Sequence, residues 1–261
     1  MRIPRGTLAD TSGRRFGAIL GLAVVAAMTR DAPWSPRLAT GSFGRSVDGD
    51  SVVWPLTDAH GLTFMGLTAD PVSYRGRRGL HVTRIANFRE GDFGRVALFD
   101  GTRFHNGTIE LEVAGTPSLD ADTSDRGFVG LVFRSANDGS RFESFYIRAT
   151  NGRADDPVRR SHAVQYQSSP EYPWFRLRKE TPLKYEAHAD FEAGAWTALR
   201  VVVRGTRAEL FVNNSSRPSL RVTDLKLGDT DGLLGLWVGP GTDAHFRHVT
   251  LASEDLVTKH D

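Results

Sequence analysis

An all-β fold of two packed antiparallel sheets is what this chain predicts, on three observations. No segment between residues 54 and 252 keeps apolar residues at helical spacing for three turns. Short alternating or wholly apolar runs recur there instead, set off by Gly, Asn and Asp. The 27 glycines are also better suited to frequent turns than to long helices. At 261 residues, one large sandwich with short tails fits, because all-β domains reach this size as single units. An apolar content of 39% and a charged content of 25% are ordinary globular values and allow a sizeable core.

Taken in order, Arg14 and Arg15 precede an apolar stretch over residues 16–28, FGAILGLAVVAAM, too short to span a bilayer comfortably. Residues 1–30 read as an export leader, with small residues Val25, Ala26 and Ala27 for cleavage and a faint likeness to a twin-arginine signal. The expected location is periplasmic or extracellular, with no membrane span in the mature chain. A start at Met28 with a cytoplasmic product is the competing reading. Residues 31–50 are rich in Pro, Gly, Ser and Thr and are expected to form a flexible tether. The domain is then placed at 51–253, followed by a tail at 254–261.

Early strands are expected at 79–85 and 95–99. At 107–113, Ile109, Leu111 and Val113 alternate with Glu110 and Glu112, so both carboxylates face away from the core. Residues 128–134 and 143–148 flank Ala136-Asn137-Asp138-Gly139-Ser140, a hairpin signal. With Val129, Leu131 and Phe133 inward, Arg134 points outward; with Phe145 and Ile147 inward, Tyr146 and Arg148 share the outward face. A second hairpin joins 198–204 to 207–213 through Gly205-Thr206, and 232–239 with 244–251 supply the closing strands. Stacking two such sheets buries the apolar sets, as in a jelly roll.

The net charge of +2 and the absence of a long basic run argue against a nucleic-acid partner. Arg159 and Arg160 adjoin Asp155 and Asp156, which reads as a charged loop. Without cysteine, disulfides, thiolate nucleophiles and Cys-based zinc sites are excluded. His81, His105, His188, His245 and His248 are scattered, no pair has a zinc-dictating spacing, and no metal site is assigned. Asp120, Asp122, Ser124 and Asp125 lack the Gly and terminal Glu of an EF-hand, so a looser site for a divalent cation such as calcium is the one cofactor left open.

The residues most suggestive of function lie at 159–186, RRSHAVQYQSSPEYPWFRLRKETPLKYE. This run combines flat aromatic surfaces, fork-shaped donors and a candidate base, a mixture that folding alone does not require. Trp174, Tyr166 and Tyr185 beside Arg178, Gln165 and His162 are the side chains that hold sugars, with rings under C–H faces and donors on hydroxyls. Asn151, just upstream, adds an amide. The competing reading has these rings cover a sheet edge.

Several motifs point the same way: Asn106-Gly107-Thr108-Ile109-Glu110, Gly127-Phe128-Val129-Gly130, Tyr146-Ile147-Arg148 with Asn151-Gly152 following, His162-Ala163-Val164-Gln165-Tyr166, Lys184-Tyr185-Glu186, and Gly235-Leu236-Trp237-Val238-Gly239. Over most of the domain the chain resembles the concanavalin A-like or laminin G-like sandwich domains of 3-keto-disaccharide hydrolase type. That resemblance implies a jelly-roll sandwich, a carbohydrate partner and export, in a group that includes lectin-like binders as well as enzymes.

For a 3-keto sugar, the ketone acidifies the neighbouring C–H, and proton abstraction can begin elimination of the anomeric substituent. His162 or Glu186 is the candidate base, and Arg148 or a bound cation the stabiliser of the developing oxyanion. Glu110 with Glu112, about 6.5–7 Å apart on one strand face, offers a glycosidase-like pair that ranks below this route. Arg134, Tyr146, Asn151, Gln165, Tyr166, Trp174, Arg178, Tyr185 and His245 are the expected substrate-binding residues, His245 because it follows the Gly239-Pro240-Gly241-Thr242 turn. Three functions are therefore carried forward: a carbohydrate-active hydrolase or lyase, a non-catalytic glycan-binding module, and a structural or adhesion domain.

Overall fold

The computed structural model describes residues 46–48, 51–85 and 95–254. The expected leader, tether residues 31–45 and tail residues 255–261 lie outside the described residues. The elements run β1 (Ser46–Asp48), β2 (Ser51–Trp54), β3 (Leu62–Met65), β4 (Leu67–Tyr74), β5 (Arg77–Arg84), β6 (Val96–Phe104) and β7 (Gly107–Pro117). They continue as β8 (Phe128–Ser135), β9 (Phe142–Arg148), α1 (Pro157–Ser161), β10 (Val164–Ser169), α2 (Trp174–Glu180) and β11 (Glu186–Ala187). The last are β12 (Thr197–Arg204), β13 (Arg207–Val212), β14 (Leu220–Val222), β15 (Gly232–Val238) and β16 (Thr242–Ser253). No helix among the described residues is long and apolar enough to cross a membrane.

The strands form two antiparallel sheets packed as a sandwich. One has the order β1-β2-β16-β7-β12-β13-β14, with β4 and β5 joined to it through the β5–β16 pair; the other runs β11-β10-β9-β8-β15-β6-β3. Period-two alternation builds the core between them. Ile109, Leu111 and Val113 of β7 and Leu199, Val201 and Val203 of β12 face Val129, Leu131 and Phe133 of β8 and Phe145 and Ile147 of β9, all buried in one apolar cluster. Glu110 and Glu112 project from the opposite face, as their spacing predicts. Each fully buried side chain of this kind contributes roughly 1.5–3 kcal/mol relative to exposure.

Three expectations need correction. Ser46–Asp48, placed in the tether, pairs in register with Ser51–Trp54 and so extends the sheet. Residues 159–186 are more than a cover: Val164–Ser169 is a fully buried strand beside β9, so the middle of the segment is floor, and only α1 and α2 rise above it. Arg134 does not share the face of Tyr146 and Arg148. Its φ of 52° lies opposite a register shift between Leu233 and Gly235, and this bulge turns the side chain away. Buried to 1% exposure, it donates to the carbonyls of Gly228 (2.6 Å), Gly205 (2.8 Å) and His105 (3.0 Å). It therefore clasps three loops at one end of the sandwich.

Gly130 allows close strand approach on the outer face of the smaller sheet. A Cβ there would lie 2.5 Å from the Tyr146 Cα, a separation that real Cβ atoms do not show. Gly130→Ala is accordingly expected to destabilise the protein by about 1–3 kcal/mol through overpacking, read as a lower urea midpoint at an unchanged m-value.

Candidate functional site

Strand register assembles the site. Trp237 of β15 pairs with Gly130 of β8, Gly130 with Tyr146 of β9, Tyr146 with Gln165 of β10, and Gln165 with Glu186 of β11. Paired residues share a face, so these five form one row across the sheet, turned away from the core. With no side chain at Gly130 between them, the rings of Tyr146 and Trp237 meet at 4.6 Å across an intervening strand. Two residues further along β9, Arg148 pairs with Phe128.

Two short helices wall this floor. Asp156 caps α1 by accepting from the Val158 N–H at 2.8 Å, with Pro157 at the first helical position. This fixes Arg159 and, just beyond the helix, His162 beside the sheet. The helix α2 follows Pro173 and carries Trp174, Phe175 and Arg178 over the floor. The open cleft here is about 480 Å³, with Phe128, Tyr146, Trp174, Phe175 and Trp237 as its aromatic lining. Arg148, Asn151, His162, Gln167 and Arg178 are among its polar side chains, with Arg159, Arg126, Asp125 and Ser124 also lining it. Trp174 and Phe175 remain exposed at 39% and 55%. The Trp174 ring is flanked by the Arg148 and Arg178 guanidiniums at 5.4 and 4.8 Å from its centroid.

Beneath the cavity, Glu186 is 3% exposed and collects three cationic or imidazole partners. Arg178 reaches it through Nε to Oε1 (3.0 Å) and Nη2 to Oε2 (2.5 Å), a fork on a carboxylate. His162 Nδ1 stands 2.9 Å from Oε2, at ion-pair distance but outside hydrogen-bond alignment. Arg148 Nη1 lies 3.9 Å away. Arg148 also donates to the His162 carbonyl and Gln165 Oε1, both at 3.0 Å, and to the Tyr146 hydroxyl at 3.3 Å. Burial pushes the Arg148 guanidinium below its ordinary value and the Tyr146 phenol above its own. Burial likewise lowers His162, and the neighbouring Arg178 and Arg148 charges add to that, outweighing the opposing pull of Glu186. The imidazole is therefore neutral at neutral pH. With Nδ1 turned to Glu186, Nε2 is left for the cavity that the ring lines.

The structure brings Tyr146, Arg148, Asn151, His162, Gln165, Trp174, Arg178 and Glu186 to this one place. Gln165, at 1% exposure, acts on it indirectly: its oxygen holds Arg148 while its amide donates to the carbonyls of Tyr166 (2.8 Å) and Tyr185 (3.0 Å). Asn151 donates to the His162 carbonyl at 3.3 Å.

Five expected residues lie elsewhere. Glu110 is on the outer face of the larger sheet, 3.9 Å from Arg200 on the adjacent strand, because β7 belongs to that sheet. Arg134 is the loop clasp described above. Tyr166 points into the core, where its hydroxyl donates to the buried carboxyl of Glu143 and accepts from the Lys226 N–H at 2.8 Å. Burial raises the Glu143 carboxyl, against the donors that Tyr166 and Leu227 supply. Tyr185 is buried and donates to Asp224 at 2.6 Å. Asp224 is itself opposed by burial, yet Lys184, Lys226 and Tyr185 hold it at about 2. His245 sits on the larger sheet. Conversely Phe128, Arg159, Gln167, Phe175 and Trp237 line the cavity without having been singled out. Alternation against Leu236 and Val129 put Trp237 and Phe128 outward, and Gln167 follows Gln165 at a spacing of two, so three of the five were within reach of period-two reasoning.

No family model matches the chain, and no curated protein matches it. Solved structures similar to it include the carbohydrate-binding module CBM66 from Bacillus subtilis, at 15% identity over 72% of this chain and 97% of that one, with a TM-score of 0.46. The metal-free exoplasmic/lumenal domain of VIP36 is similar at 11% identity over 80% and 95%, with a TM-score of 0.47. Domain 4 of AbnA, a GH43 extracellular arabinanase from Geobacillus stearothermophilus solved with arabinotriose, is similar at 13% identity over 75% and 85%, with a TM-score of 0.43.

Removing Glu186 strands the buried Arg148 charge. Glu186→Ala is expected to lower stability by about 3–5 kcal/mol, measured by urea denaturation at pH 7. Acid has a related effect. Burial lowers His162, and it also lowers His245 and His248, so below an unfolded value of about 6.5 the unfolded chain binds protons first. The melting temperature should therefore fall as pH drops from 7 to 5, with a smaller fall in His162→Gln.

Proposed function

We propose that the cavity under α2 binds a carbohydrate. The observation that carries this reading is an exposed Trp174 and Phe175 on a cavity that Phe128, Tyr146 and Trp237 also line, beside the polar side chains of Arg148, Asn151, His162 and Gln167. Flat rings suit the C–H faces of a pyranose, and the amides and guanidiniums suit its hydroxyls. The volume of about 480 Å³ falls in the range of roughly 300–1,000 Å³ typical of small-molecule sites. An exported protein acting on glycans outside the cytoplasm completes this reading.

A second reading, catalysis on a 3-keto-glycoside, is favoured by one feature: a neutral His162 held beside a buried carboxylate and next to two guanidiniums. In that chemistry Nε2 of His162 takes the proton from the carbon next to the ketone. The enolate oxygen that forms is stabilised by Arg148 or Arg178, and its collapse expels the anomeric substituent, which leaves as the alcohol by taking the proton from His162 Nε2. Water addition to the resulting double bond completes hydrolysis. Glu186, engaged by Arg178 and shielded from the cavity, orients His162 rather than acting as the base. Glu110 has no part in it.

A glycan array followed by calorimetry on the strongest hit tests the first reading. Trp174→Ala, at an exposed position, should weaken that binding roughly 10- to 100-fold, about 1.4–2.8 kcal/mol, and an array without any hit defeats the proposal. For the second, wild type should exchange the acidic C–H of a 3-keto-glycoside for deuterium and release the aglycone. His162→Gln should lose both while keeping affinity within a few-fold; exchange that survives in His162→Gln removes His162 as the base.

A further inference from the structure

On the other sheet a second constellation is built by register. His81 of β5 pairs directly with His245 of β16, and Asp243 stands two residues before His245 on the same outer face. The inward neighbours Leu80, Val82, Ala244 and Phe246 are all fully buried in the core, which fixes this face outward. His81 Nε2 lies 2.6 Å from Asp243 Oδ1, and His245 Nδ1 lies 4.0 Å from the same oxygen. One donor atom from each of the three lies within 4.8 Å of the others.

The imidazoles are held in place by a stack. The His245 ring lies 3.8 Å from Tyr74 and 4.8 Å from His81 by centroids, at 19° and 18°. Tyr74 is anchored in turn: its hydroxyl donates to the Gly194 carbonyl at 2.8 Å, and its own carbonyl accepts from Trp196 Nε1 at 3.2 Å. His245 is 7% exposed, so its ring is held among neighbours rather than in solvent. Charged groups of both signs surround the site, with Arg75 beside the stacked Tyr74 ring. Asp70 of β4 pairs with His81, and Asp120, Arg84 and Arg95 line the same hollow as His81 and Asp243. Arg77 and Arg247 are both occupied by Glu112.

We infer that His81, Asp243 and His245 bind a divalent transition-metal ion of the zinc type. Two imidazoles and one carboxylate are the donor set such ions prefer over calcium, which takes oxygen ligands. Metal–ligand bonds of about 2.0–2.2 Å require donors about 3–3.5 Å apart in a tetrahedron. The two pairs to Asp243, at 2.6 and 4.0 Å, straddle that separation and the whole set lies within 4.8 Å, so closing the site takes side-chain rotation. Three protein ligands leave a fourth position for water or an outside donor. The ion would replace the His81–Asp243 contact already present and bridge β5 to β16. Chain spacing hid the set, since 162 residues separate His81 from Asp243.

The test uses the full chain, stripped with a chelator and titrated with zinc chloride by calorimetry at pH 7.5. One equivalent should bind, and a cobalt(II) titration should give the absorption of a four-coordinate site. His81→Gln and Asp243→Asn should each weaken zinc binding at least tenfold, with circular dichroism and apo melting temperature confirming the fold. His60→Gln, at an exposed histidine outside the cluster, should leave the affinity unchanged. No saturable zinc binding by wild type, or equal binding by wild type and both cluster variants, overturns the assignment.

Discussion

The antiparallel register of β15, β8, β9, β10 and β11 is the constraint on which the cavity depends. It places Trp237, Gly130, Tyr146, Gln165 and Glu186 in one transverse row, from chain positions more than 100 residues apart. A one-residue slip in any of these pairs would send the affected side chains to the core face. The core prevents such a slip, because Leu131, Phe145, Val164 and Leu236 would then turn toward water. Hydrophobic burial on one face thereby fixes the chemistry on the other, with no specific bond between the two.

At the far end of the row the physics changes from packing to charge. A carboxylate at 3% exposure is tolerated only with partners, and Glu186 has Arg178 as a fork, His162 at ion-pair distance and Arg148 nearby. Those partners come from α2, from the turn after α1 and from β9, so one buried charge draws both helices to the sheet. The same cluster keeps His162 neutral, since two guanidiniums and desolvation outweigh a single carboxylate. Organisation of the walls and readiness of the imidazole thus have a common source.

The sandwich was legible from alternation because one face of nearly every strand is buried. Ile109, Leu111 and Val113, or Phe145 and Ile147, report their orientation without knowledge of the partner sheet. The pairing of Tyr146 with Arg148 on the outward face followed from the same rule. Alternation failed at Arg134, where a bulge breaks the period; Tyr166 and Tyr185 were chosen by composition instead, and their rings are buried while their hydroxyls meet Glu143 and Asp224. It could not assign Glu110 or His245 to a sheet, since strand order is set by long-range pairing rather than by local pattern. Residues 159–186 drew notice for their composition, yet their division into floor and wall depended on Val164–Ser169 joining β9.

The edges of the two sheets affect how the molecule meets its own copies. The terminal strands β1, β14, β11 and β3 have only three, three, two and four residues, and the longer edge strand β4 carries Pro71 with Asp70 beside it. Short runs offer few unpaired amides, and a proline interrupts the donor row that an incoming strand would need. Open sheets of this size would otherwise template fibrous association at high protein concentration. Here that hazard is blunted along the margins, leaving the broad faces available for recognition.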